Sequence, residues 1–159
     1  MNEIKIRKVN ENDYLRIKKI VSNIWGMGFD ALMEERYGKI KNKPWKEITG
    51  EKVINTLKSF EPNVWVTEID NIVVGFFSCT FDKEKKIGEI TYNGVSPEAK
   101  GNGIGTKQMN YLINNFKKKG MEILIVSTGL NEGHAPARRM YEKVGFKEIS
   151  RSITYTMKI

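Results

Sequence analysis

Hydrophobic positions along this chain change period several times, and each change marks an element. In "EIKIRKV", Ile4 and Ile6 alternate with charged residues, which predicts a strand. Tyr14, Ile17, Val21 and Ile24 then recur at helical spacing, with Asn12 or Asp13 as N-cap and Gly26 and Gly28 as breakers. Asp30 is suited to cap a short second helix carrying Leu32, Met33 and Tyr37, which Gly38 ends. After a basic loop, "KIKNKPW", Thr49 opens a third helix with Val53, Ile54, Leu57 and Phe60 on one side, closed at Pro62. The pattern then turns to strands. "NVWVTEI" and "IVVGFFSCTF" flank Asp70-Asn71, a hairpin turn, and "IGEITYNGV" follows the turn "KEKK".

The strongest helical stripe is Met109, Leu112, Ile113 and Phe116, directly after "VSPEAKGNGIG" and stopped by Gly120. "EILIV" is a continuous apolar run, the pattern of a strand buried on both faces. The loop "STGLNEGH" leads to a helix with Ala137, Met140, Tyr141 and Val144 on one face, Pro136 in its first turn and Gly145 after its end. "FKEISRSITYTMKI" alternates again and predicts two closing strands. The order β, helices, three-strand meander, α, β, α, ββ predicts an α+β, mixed-sheet fold, with residues 1–159 as a single domain.

Composition narrows the chemistry. With one cysteine, Cys79, and one histidine, His134, neither a disulfide framework nor a cysteine- or histidine-rich metal site can be built, so no metal is expected. The first residues, "MNEIKIRKVN", lack the apolar core of a signal peptide, and no run is long enough to span a bilayer. Cytoplasmic residence, away from membranes, is the default. The net charge of +8 suits a polyanionic partner, whether nucleic acid, acidic lipid or a phosphorylated cofactor. The basic residues are scattered and no RNA or DNA motif appears, which makes a nucleic-acid-binding module the weaker alternative.

Gly101, Gly103 and Gly105 precede a helix, where unpaired N–H groups and the positive end of the dipole collect. Glycines there let those amides face an anion. A dinucleotide fingerprint begun at Gly101 fails because residue 106 is Thr106, and a P-loop fails because the order is Gly105-Thr106-Lys107. What remains is Lys100-x-x-Gly103-x-Gly105, five residues after Val95.

On these residues the chain resembles the GNAT superfamily of N-acetyltransferases. The family signature, [Gln/Arg]-x-x-Gly-x-[Gly/Ala] after a Val-x-Pro-like step, is similar to "VSPEAKGNGIG" at Val95, Pro97, Gly103 and Gly105, with Lys100 replacing the usual Gln or Arg. A second resemblance is "GHAPARRMYEKVGF", where Ala137, Tyr141, Gly145 and Phe146 match and His134 stands where asparagine is common. The resemblance implies a central mixed, mostly antiparallel sheet with helices on both faces. It also implies acetyl-CoA as co-substrate and an amine acceptor, either a small molecule or a peptide or protein amine. Val95, Lys100, Gly101, Asn102, Gly103, Gly105, Thr106 and His134 would bind the cofactor. The pantetheine would lie between splayed strands near Val95 and Ile123–Val126.

The family pattern assigns Tyr141 as the acid that protonates the departing thiolate, and Glu89 on the meander strand as the base. Periodicity alone is equally served by Tyr141 packing in the core and Glu89 lying on an exposed strand. His134 could substitute as base. Cys79, in an apolar strand, reads as an inert buried thiol. Trp25, Met27, Phe29, Met33, Tyr37 and Trp45 fall where family members bind the acceptor. A catalytically silent acyl-CoA sensor is a further alternative, and a homodimer is an analogy with the family.

Overall fold

The computed structural model describes residues 3–25 and 28–159. The chain runs β1 (Ile4–Lys8), α1 (Asp13–Trp25), α2 (Phe29–Tyr37), α3 (Trp45–Ser59), β2 (Val64–Ile69), β3 (Ile72–Asp82), β4 (Ile87–Val95), α4 (Ile104–Lys118), β5 (Ile123–Val126) and α5 (Ala135–Lys143). The strands form one sheet in sequence order. Its first three pairings are antiparallel and the last, β4 with β5, is parallel. This is the mixed, mostly antiparallel sheet expected.

Two cores sandwich the sheet, because the alternation of β2 and β3 sends neighbouring side chains to opposite faces. On one face, α1 and α3 set Ile17, Ile20, Val21, Val53 and Leu57 against Val64, Val66 and Phe76. On the other, α4 and α5 set Met109, Leu112, Phe116 and Tyr141 against Trp65, Phe77, Cys79 and Ile90. The stripes read for α1, α3, α4 and α5 are these buried faces, whereas the one read for α2 is not, with Leu32 65% exposed. Fully burying a side chain such as Leu112 or Phe116 contributes about 1.5–3 kcal/mol, so the stripes decide where the helices sit.

Ions tie α1 to the sheet. Arg7 on β1 donates to both carboxylate oxygens of Asp13, at 2.7 and 2.8 Å, and to Glu68 on β2 at 2.6 Å. The backbone N–H of Asn10 donates to Asp13 at 2.8 Å, so this carboxylate also fixes the entry to α1.

Several expectations need correction. The third helix starts at Trp45, after Pro44, and not at Thr49. Thr49 instead donates its hydroxyl to buried Asp30 at 2.7 Å, joining α3 to α2. Asp30 lies inside the first turn of α2, whose N-cap is Gly28. The break expected at Gly26 lies outside the described residues. The strand read as buried on both faces is the edge strand β5, with Ile123 54% exposed. In the stretch 146–159, expected as two strands, no strand is formed and residues 147–159 are exposed. An apolar run does not distinguish an edge from a centre, and alternation does not supply a partner.

Candidate active site

The parallel pairing of β4 with β5 covers only Ile87↔Ile123 to Ile90↔Val126. Beyond it the strands part. Opposite β3, Ser78 pairs with Tyr92 and Cys79 with Ile90, so Thr91 is an extra, bulged residue. Its hydroxyl shares a 2.7 Å hydrogen bond with that of Ser78, which holds the bulge. A bulge bends and twists its strand, and it sits where β4 leaves β5. The splayed strands expected near Val95 and Ile123–Val126 part at the end of this pairing: Ile90, Val95 and Val126 line the opening, which lies mainly between Thr91–Val95 and Ser127–Gly129.

A cavity of about 780 Å³ fills this opening. Val95, Lys100, Gly101, Gly103, Gly105, Thr106, His134 and Tyr141 all line it. Two candidates do not. Asn102 turns its side-chain amide to the Ala99 carbonyl oxygen at 3.3 Å. Glu89 is exposed and lies one residue before the lining stretch of β4. A Cβ on neighbouring Gly88 would meet the Phe116 ring at 2.4 Å, so Gly88 faces α4 and Glu89 faces the α1 side.

The turn before α4 has the backbone that a cradle for an anion would need. Gly101 and Gly103 take φ of +84° and +71°, a left-handed backbone that L side chains adopt only at a cost. Beyond their own chain neighbours, no protein atom lies within 4 Å of where a Cβ would stand on either. Conformation and open space, not crowding by the protein, account for these glycines. Gly103 is the N-cap of α4, and its carbonyl accepts from Lys107 at 3.0 Å. The N–H groups of Ile104, Gly105 and Thr106 precede any intrahelical acceptor and point outward with the positive end of the dipole. Lys100 adds a full charge beside them.

Strand geometry supplies another donor. The Ser96 N–H reaches back to the Val74 carbonyl on β3 at 2.8 Å. Since N–H directions alternate along a strand, those of Val95 and Asn93 point the other way, into the opening.

Tyr141 is only 8% exposed, in edge contact with Phe146 at 5.8 Å between centroids. Burial pushes its phenol up to about 12. His134 donates from Nδ1 to Asn131 Oδ1 at 2.5 Å, and its own N–H caps the same oxygen at 3.2 Å. Burial, aided by the charge of Arg138, holds the imidazole below its ordinary range, so it is neutral near pH 7 and leaves Nε2 as an acceptor. Arg138 grips the loop before α5, donating to the carbonyls of Gly129 at 2.6 Å and Asn131 at 3.0 Å. That clamp was not anticipated, because nothing in the order of residues indicates that the guanidinium turns back onto the loop.

On the α1 side, Ile24 and Trp25 line the cavity with Tyr92, and Trp25 packs against Tyr92 at 5.8 Å. Of the other expected acceptor-side residues, Trp45 instead donates from its indole to the Gly38 carbonyl at 2.8 Å, and Phe29 is 51% exposed. Met27 lies outside the described residues. Among the described residues, no cluster of three metal-ligating side chains occurs. Cys79 is buried in the α4 side of the core and its thiol is pushed up to about 11 by burial.

Comparison with known proteins adds a decisive observation: a model of the acetyltransferase (GNAT) family matches residues 28–146, well over half of the chain. The chain belongs to the GNAT family. The region matched holds β4, the glycine turn, α4, β5 and α5. An uncharacterized N-acetyltransferase of Methanocaldococcus jannaschii is 32% identical over 98 residues, covering 58% of this GNAT chain and 42% of the relative. The chain thus spans less than half the length of that curated relative. Two solved structures share the fold. The PaiA N-acetyltransferase of Thermoplasma acidophilum, in complex with coenzyme A, superposes with a TM-score of 0.72 at 18% identity, covering 94% of this chain and 93% of that one. The YncA protein of Salmonella typhimurium, with its cofactor acetyl-CoA, gives 0.68 at 19% identity, covering 92% and 81%.

Proposed function

We propose that this protein transfers the acetyl group of acetyl-CoA to an amine that attacks it directly. The observation that carries the reading is the cradle at Gly101–Thr106 opening into the β4–β5 cleft. Free N–H groups, a helix dipole, Lys100 and unobstructed left-handed glycines suit a diphosphate. The cleft between parted strands suits an extended chain leading to Tyr141. Acetyl-CoA, when bound, supplies an activated thioester.

The chain's own residues then have distinct parts. Lys100 and the amides at the start of α4 hold the anionic end, and Thr106 and His134 border the same cavity. The Val95 N–H serves as a donor to the carbonyl oxygen, which accumulates charge as the amine adds. Tyr141 stays protonated at every working pH and donates to the sulfur as the carbon–sulfur bond breaks. Complete transfer from a phenol near 12 to a free thiolate near 8.5 would be uphill by about 5 kcal/mol. Tyr141 therefore acts chiefly as a hydrogen-bond donor that stabilises the leaving sulfur.

The acceptor's proton has fewer options. No carboxylate is among the residues lining the cavity, and Glu89 is on the α1 side outside it. Any proton it takes up passes through water. An amine near pKa 8 is neutral at pH 7 for about 1 kcal/mol, whereas a lysine amine costs about 4–5 kcal/mol. This difference favours an α-amine or another weakly basic amine. The wall of Ile24, Trp25 and Tyr92 favours one with apolar neighbours.

Calorimetry with acetyl-CoA tests the cradle. Gly103→Asp puts a side chain and a negative charge there, and affinity should fall at least about tenfold. Undiminished affinity in a folded variant would exclude the cradle. A basic nucleic-acid module would instead show salt-dependent binding of nucleic acid and none of acetyl-CoA. A silent sensor would bind acetyl-CoA but release no thiol with any amine tried.

A further inference from the structure

One polar layer crosses the α4 side of the core. Gln108, in the second turn of α4, is fully buried, and so is Thr67 on β2. The Gln108 amide nitrogen donates to the Thr67 hydroxyl at 3.0 Å. Its carbonyl oxygen accepts from the Asn93 side-chain amide on β4 at 2.7 Å. To reach both strands the Gln108 side chain lies across β3, which runs between them. It crosses at Gly75, where a Cβ would stand 2.6 Å from the Gln108 nitrogen. Gly75 has no positive φ, so close approach of a side chain is what requires glycine there.

A buried polar layer is costly unless its members are paired, and pairing fixes their orientation. Of the three, Asn93 alone lines the cavity. It is half-buried and faces α4, the side of the sheet on which Tyr141 packs. Tyr92 and Trp25 lie on the opposite face. Asn93 is two residues from Val95, about 7 Å along the strand. Its amide nitrogen is turned to Gln108, and its oxygen, Oδ1, receives no hydrogen bond from the described residues.

We propose that Asn93 Oδ1 accepts the amide N–H of the coenzyme arm nearest the thioester, and that Gln108 is the positioning residue that turns it there. The inference rests on the acetyl-transfer reading. In coenzyme A that amide stands two carbons from the sulfur, so it shares the cleft beside β4 with the thioester. A cradle around the diphosphate holds one end of a flexible arm and leaves the rotation of the other end free. A directed acceptor near the sulfur removes that freedom. Gln108 belongs to the helix whose first turn forms the cradle, so the two points that hold the arm are fixed to each other.

Calorimetry on the whole chain compares two probes. One is acetyl-CoA; the other is ADP with its ribose phosphorylated as in coenzyme A, which keeps the diphosphate and lacks the arm. Asn93→Leu should weaken acetyl-CoA about 5–10-fold and leave the nucleotide within about twofold. Gln108→Leu should weaken acetyl-CoA in the same direction, by about 3–10-fold. Added to Asn93→Leu, it should cause no further loss, because it acts only through Asn93. That double variant replaces both partners with apolar groups and keeps the core filled. Retained nucleotide binding shows that each variant is folded with its cradle intact. If Gln108→Leu alone does not fold, Asn93→Leu and the double variant decide. Three results would overturn the proposal: acetyl-CoA affinity unchanged in Asn93→Leu, equal losses for the two probes, or a further loss from Gln108→Leu once Asn93 is replaced. In all three the parent still binds acetyl-CoA and the acetyl-transfer reading stands. A parent that binds no acetyl-CoA would remove both.

Discussion

Tyr141 joins a packing role to the chemistry proposed for it. Its ring belongs to the core beneath α4 and α5, while the residue also lines the cavity. The same burial that makes it look like a packing residue raises its pKa to about 12, so its proton is retained through the working range. Because the protonated form is the useful one and is lost only near that pH, kcat should not fall between pH 7 and 10 on its account. A pH–rate profile at saturating substrates checks this. Tyr141→Phe should lower kcat by about 10²-fold or more while leaving acetyl-CoA affinity nearly unchanged. An equal loss of binding would assign the residue to positioning alone. Cys79 is the contrasting case: burial raises its pKa as well, and it lies outside the cavity lining.

The helices α1, α4 and α5 were legible because a stripe at helical spacing is itself the record of a buried face. The glycine turn was legible for a related reason. Positive φ at Gly101 and Gly103 demands glycine, and few uses of that pattern place it before a helix and after a strand. Pairing is different, because it belongs to two segments at once. Nothing in "EILIV" says whether a strand will later lie beside it, and nothing in the alternation of 147–159 supplies it with a partner. The start of α3 was misread for a local reason: Thr49 looks like a cap but its hydroxyl is used across to Asp30. The clamp from Arg138 is likewise a contact that only folding creates. Arg138→Ala frees the carbonyls of Gly129 and Asn131, so the loop bordering His134 should exchange hydrogen faster. The KM for acetyl-CoA should rise by about 3–10-fold, with less change in kcat.

The molecule as a whole depends on the seam between α1 and the sheet, since α1 supplies one wall of the cavity. Burial is the largest influence on Asp13 and opposes its charge, but the hydrogen bonds from Arg7 and the Asn10 N–H, together with the charge of Arg7, outweigh it and hold the carboxyl below its ordinary value. A depressed carboxyl stabilises the fold above its unfolded pKa near 4, and that contribution is lost as pH falls through the lower folded value. Asp13→Asn should cost about 2 kcal/mol at pH 7, discounted because Arg7 is about a quarter exposed. Thermal melts should show a drop of about 4–8 °C, and the gap from the parent should narrow below pH 4.

The parting of β4 and β5 also has a kinetic consequence. The cavity is lined from both faces of the sheet, by Ile24 and Trp25 on one and by the start of α4 on the other, so on the proposed reading the nucleotide would enter beside α4 and the amine beside α1. Neither has to vacate its berth before the other arrives, so a ternary complex can assemble. Initial rates at varied concentrations of both substrates should then give intersecting, not parallel, double-reciprocal lines. Spent coenzyme could depart by its own side of the sheet while the acetylated amine departs by the other.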